Sequence, residues 1–165
     1  MSSYNKSITI NYPLERVFKV FIDLNKREIP KFNDKNPKGM SHTRIIKYVA
    51  KKKIEMTTTV TEYEKNKLYE VTNTIQEDNY VSRYEFVELS PSSTEIKITE
   101  TQNMKGLGSW IMLLLEKFKA KKKLNEKTEG IKVALEAELE RRDGKPRNEI
   151  EAEEEMAVEE VESEK

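Results

Sequence analysis

Glu100 is the side chain that alternation aims most pointedly at an interior. It follows Ile96 and Ile98 at every second position, so a strand that turns the two isoleucines inward turns this carboxylate inward as well. Burial disfavours the charged form of a carboxyl, and a group so placed can act as a general base or orient the polar head of a ligand. The plainer alternative is a strand-end glutamate met by solvent or by a neighbouring lysine. Tyr69 and Tyr84 fall on the corresponding faces of their own segments. Either could hold a ligand hydroxyl or carbonyl, or simply pack its ring and wet its tip. His42, the single histidine, sits in a Gly/Pro-containing stretch, reads as exposed and cannot form a two-histidine metal site. Lys117, Lys119, Lys121, Lys122 and Lys123 follow directly on the apolar run Trp110–Leu115. That order suits peripheral contact with an anionic membrane surface, or equally the solvated side of a packed helix.

Other chemistry is missing from the sequence. It has no Gly-x-Ser-x-Gly, no phosphate-cradling glycine loop and no metal-ligand spacing, so no cofactor or metal is expected and nothing demands an enzyme. The absence of cysteine removes disulfides, thiolate nucleophiles and Cys-based metal centres. The polar start carries no secretory pattern, and the longest apolar run is far short of the roughly 20 residues that cross a bilayer, so a soluble, cytoplasmic protein is expected. The 165 residues carry 30 basic and 30 acidic side chains, but Asp143–Lys165 holds ten acids against three bases. The body before it is correspondingly basic, with its charge spread and no aromatic-basic surface motif, so no nucleic-acid partner is expected.

The elements that would position these residues follow from periodicity. Ser7–Tyr12 alternates as a half-buried strand, Pro13 can open a helix, and Leu14, Val17, Phe18, Phe21 and Ile22 form one apolar stripe to about Asn25. Asn25–Ser41, with Pro30, Pro37 and Gly39, reads as a loop with one further helical turn. Five strands then follow, over residues 44–50, 54–63, 67–75, 79–89 and 94–102, with breaks short enough to join antiparallel neighbours. After Gly106-Leu107-Gly108, with Ser109 as N-cap, a helix runs from Trp110 to about Arg142. Its first half is expected to pack on the sheet, while its second half projects or breaks near Asn125 or Gly130. One domain over 1–142 and an acidic, disordered tail over 143–165 complete the expectation.

This order, carried by "SITINYPLERVFKVFIDL" and "STEIKITETQNMKGLGSWIMLLLEKFKAKKK", resembles the START-like (SRPBCC) superfamily of birch-pollen allergen, polyketide cyclases and lipid-transfer domains. Over roughly Ser7–Arg142 it is similar to an uncharacterised bacterial branch. The resemblance implies an α+β helix-grip fold, with a curved antiparallel six-stranded sheet around the long C-terminal helix and a cavity between them. By alternation Met56, Thr58, Tyr69, Asn73, Tyr84, Phe86, Ile98 and Glu100 would face that cavity, with Trp110, Leu114 and Phe118 closing it from the helix. The same pattern also describes a filled core. The overlong helix and the acidic tail depart from the superfamily pattern.

Three functions are compatible with this reading. The first is a carrier of a small hydrophobic or lipid-like molecule. The second is a protein-binding, co-chaperone-like accessory using the extended helix and tail, and the third a cyclase or hydrolase using Glu100. The acidic tail could also screen the Lys117–Lys132 region from anionic partners.

Overall fold

Pro13 divides the first strand from the first helix. Strand β1 (Ser2–Ile10) leads through it into α1 (Leu14–Asn25), where the Arg16 and Val17 amides both donate to the Pro13 carbonyl. A single 3-10 turn, Lys26–Glu28, begins the following loop. Five strands come next: β2 (Ser41–Val49), β3 (Lys52–Glu64), β4 (Leu68–Ile75), β5 (Asp78–Ser90) and β6 (Ser93–Asn103). Helix α2 (Ser109–Asp143) ends the order. The computed structural model describes residues 2–105, 109–144 and 156, with the side chains of 109–120 excepted. Gly106-Leu107-Gly108, the proposed Ser109 cap, the side chains of Trp110, Leu114, Phe118, Lys117 and Lys119, and the acidic tail past Gly144 apart from Met156 lie outside the described residues.

All six strands form one antiparallel sheet in the order β1-β6-β5-β4-β3-β2. β1 starts five residues before the apolar alternation does, because it pairs with β6 from Ser2↔Gln102 to Ile10↔Thr94 while its inward positions before Ile8 carry no aliphatic residue. β2 begins at Ser41, so His42 belongs to a strand, in register with Thr58, and is half-buried. The preceding loop reaches that edge through Gly39, whose amide donates to the Val60 carbonyl at 2.8 Å, while the Val60 amide donates to Met40 at 2.9 Å. Gly39 adopts φ +88, a left-handed conformation suited to glycine.

The core lies where α1 crosses one end of the concave sheet face. Phe18 meets Phe86 and Tyr63 with ring centroids 5.0 and 5.9 Å apart, and Phe21 meets Tyr84, Phe86 and Tyr69 at 4.8, 5.1 and 5.7 Å. Tilted and edge-on arrangements like these suit the ring quadrupoles.

The final helix corrects the sequence expectation. It is continuous through Asn125 and Gly130, and the second half is embedded in the fold. Leu124, Thr128, Leu135 and Leu139 are buried at helical spacing, with Ile131 packed against the same core. The buried Thr128 hydroxyl donates to the Leu124 carbonyl, and the Gly130 position is open, so glycine's cost of about 1 kcal/mol is outweighed by burial on both sides of it. Asp143, assigned by composition to the tail, is the last helical residue and pairs with Arg16 of α1.

Candidate functional site at the polar end of the concave face

Strand register arranges the inward side chains in cross-strand rows that change character along the sheet. The row under α1 is Ile8, Ile96 and Phe86, and the next is Lys6, Ile98, Tyr84, Tyr69 and Tyr63. The third row is Tyr4, Glu100, Ser82, Val71 and Val60. The fourth is Ser2, Gln102, Tyr80, Asn73, Thr58 and His42, polar from edge to edge. The face thus passes from a filled aromatic core to hydroxyls, amides and an imidazole within two rows. Polar groups at such depth need partners. Buried Thr58 donates to Asn73 Oδ1 at 2.6 Å, and among the described side-chain atoms no buried nitrogen or oxygen lacks a hydrogen-bond partner.

At the boundary sits a charged cluster. Lys127, from the embedded half of α2, donates to Glu100 Oε1 and, at 3.1 Å, to the Ser82 hydroxyl. Ser82 donates to the other Glu100 oxygen at 3.0 Å, so both carboxylate oxygens are engaged. The ammonium also lies 5.6 Å from the Tyr84 ring centroid, within cation–π range. Burial raises the Tyr84 pKa; Lys127 opposes the shift without cancelling it, and the phenol stays protonated. The Lys127 side chain stays 40% exposed; partial desolvation on its own would lower its pKa, but Tyr84 and Glu100 outweigh it and raise it, keeping the ammonium charged. Tyr69, fully buried, is raised chiefly by desolvation. A charged donor and a charged acceptor are therefore held in fixed positions where the apolar rows meet the polar ones.

The residues expected at the site divide accordingly. Tyr69, Tyr84, Phe86 and Ile98 belong to the buried core beneath α1. Thr58, Asn73 and Glu100 lie in the polar rows, and half-buried Met56 follows Thr58 toward the far end of β3. Ser82, Tyr80, Gln102 and His42 join them by register. The same alternation that selected Glu100 could have found Gln102 and Tyr80, and His42 needed only the correct start of β2. Lys127 had no sequence signal, being one lysine among many on a charged helix.

A groove of about 730 Å³ opens beside α1. It is walled by Phe18, Ile22 and Tyr63 and rimmed by charges of both signs, among them Lys19, Lys35, Lys65, Glu15 and Asp34. No group of histidine, aspartate and glutamate among the described residues is arranged to hold a metal ion, and no described helix is long and apolar enough to cross a membrane.

Comparisons with known proteins agree with this architecture. Residues 5–121 match the family DUF3284, a domain of unknown function. Protein SA2116 from Staphylococcus aureus, of unknown function, superposes with a TM-score of 0.60 at 12% identity, covering 87% of this chain and 98% of that one. The Zhui aromatase/cyclase from Streptomyces sp. R1128 gives 0.54 at 14% identity, covering 86% and 94%. Ara h 8.0201 gives 0.53 at 15%, covering 84% and 97%. At such identities the likeness establishes the helix-grip fold alone. A search of curated proteins finds no match to the sequence.

Proposed function

The chain belongs to the DUF3284 family, and on that premise we propose that it binds a small hydrophobic or lipid-like molecule over the polar half of its concave face. The single observation that carries this reading is the change of the inward rows from packed aromatics to half-buried polar groups, with the Lys127–Glu100–Ser82 cluster at the boundary. A ligand with an apolar body and a polar head suits that gradient, because concave apolar sites with a few fixed polar groups are the common small-molecule design. The head would lie near Glu100, Ser82 and Asn73, with Met56 and Thr58 beside it. Trp110, Leu114 and Phe118 are assigned to the helix wall on sequence grounds. Tyr84 and Ile98, already packed, would form the closed end. Both Glu100 oxygens are occupied, which favours binding over general-base catalysis. A carrier role, in a soluble cytoplasmic setting, is the function proposed.

Native mass spectrometry of the full chain tests the proposal. The expected result is a noncovalent small-molecule adduct that is lost on denaturation. Placing a large ring at the half-buried Asn73 position with Asn73→Phe should weaken retention by about tenfold or more, equivalent to about 1.4 kcal/mol. A bare chain mass under gentle conditions, or an adduct indifferent to Asn73→Phe in a folded variant, would contradict it.

A further inference from the structure

The first pairs linking β3 to β4 are Thr57↔Thr74 and Thr58↔Asn73, whereas β2 pairs with β3 as far as Val49↔Lys52. Residues 45–55 therefore form a two-stranded ribbon projecting past the end of the sheet. Two strands alone are marginal in water, and apolar residues on such a ribbon do not serve the core. Yet this one exposes Ile45 (42%), Ile46 (40%), Tyr48 (64%) and Val49 (49%). Over the same residues it carries Lys47, Lys51, Lys52 and Lys53 against a single acid, Glu55, with Arg44 just before it. Its turn is built from Ala50 and Lys51, at φ 47 and 66, a left-handed conformation that side chains other than glycine seldom adopt.

We propose that this ribbon docks the protein on an anionic lipid surface, its tip entering the interface and its bases facing lipid headgroups. A net positive charge, concentrated at the tip in Lys51, Lys52 and Lys53, suits an anionic partner of any kind. The distribution of the apolar groups selects the membrane. Register places Ile45 and Tyr48 on one face of the ribbon, opposite Glu55 and Lys53, and Val49 on the other, opposite Lys52, while Ile46 occupies the bulge between Ile45 and Lys47. A protein surface or an added strand covers one face or one edge, whereas immersion covers all sides at once. Tyrosine near the tip suits the headgroup level. The usual role of lysines and bulges on an edge strand, to prevent pairing with other chains, accounts for Lys47 but not for four exposed apolar neighbours. The surface stands independently of what the concave face binds.

Flotation of the full chain with phosphatidylcholine vesicles, with and without phosphatidylserine, tests it. Binding is expected only with phosphatidylserine, to weaken with added salt, and to fall by about tenfold or more in the Lys51→Ala/Lys52→Ala/Lys53→Ala variant. These side chains are exposed, so the variant should melt with the wild type. Because the chain has no cysteine, an environment-sensitive fluorophore on Val49→Cys reports the tip alone. Its emission should shift to the blue on phosphatidylserine vesicles, while the same probe on exposed Val133→Cys should not respond. No vesicle binding, binding retained by the triple variant but abolished by Lys121→Ala/Lys122→Ala/Lys123→Ala, an unresponsive Val49 probe on bound protein, or ribbon-dependent binding of duplex DNA or an acidic peptide in place of vesicles would each overturn the assignment.

Discussion

Phe21→Ala is expected to remove about 3–5 kcal/mol of folding stability and to lower the melting temperature by on the order of 10 °C. Phe21 is buried in α1 and touches three rings from two neighbouring strands, Tyr69, Tyr84 and Phe86. Truncation leaves a void that three large side chains, held on two paired strands, cannot close. Tyr84 also forms one wall of the Lys127 cluster, so the same substitution should loosen the end of the proposed site. Thermal unfolding monitored by circular dichroism measures the loss, with the exposed Val133→Ala, expected to change stability by less than about 0.5 kcal/mol, as the control. Equal melting of the two variants would show that α1 does not carry the core.

Arg142→Ala should be nearly as costly, at about 3 kcal/mol, because it removes one partner from a buried ion pair. Arg142 of α2 reaches Asp23 of α1 at 2.9 Å and Glu138 at 2.9 Å, and Lys26 and Lys19 stand 3.1 and 3.3 Å from the same aspartate. Burial pushes the Asp23 carboxyl up, but Lys19, Lys26 and Arg142 together hold it below its ordinary value of 3.8. Hydrogen bonding to Arg141, with Arg142 assisting, holds Glu138 down to about 2, from an ordinary 4.5. Both carboxyls are depressed in the folded chain, so their contribution is complete above the unfolded values and disappears as pH falls through the folded ones. Wild-type stability should therefore decline between about pH 4.5 and pH 2, by on the order of 1–2 kcal/mol from Glu138 once solvent screening is allowed for. Arg142→Ala should flatten the Asp23 part of that decline and leave most of the Glu138 part, which Arg141 sustains. Melting temperatures measured across this range decide the matter: parallel curves for wild type and variant would contradict the clasp.

The parts legible in the sequence were those whose signal is local. Alternation in Ile96–Glu100 and the stripe Val17, Phe18, Phe21 report burial within a few residues of chain, and they placed β6 and α1 closely. Where an inward position is not aliphatic the local signal fades: Tyr4 and Lys6 hid the start of β1, and the strand was recoverable only from its pairing with β6. The helix end misled for a related reason. Lys121–Lys123 and Gly130 interrupt the apolar pattern, yet Leu124, Thr128, Leu135 and Leu139 keep one buried face across them. Glu100 was found by alternation, while its partner Lys127 comes from a helix beginning beyond the last strand and is brought near only by tertiary packing. The polar row from Ser2 to His42 likewise exists only across six strands, and no single segment announces it.

The most direct measurement is backbone amide chemical-shift mapping of the full chain titrated with anilinonaphthalene sulfonate, an amphipathic probe with an apolar body and a charged head. If the concave face is the binding site, the largest shifts will gather at Thr58, Asn73, Ser82 and Glu100. Shifts confined to Lys19, Ile22, Lys35 and Lys65, around the groove beside α1, or no saturable shifts at all, would contradict the account.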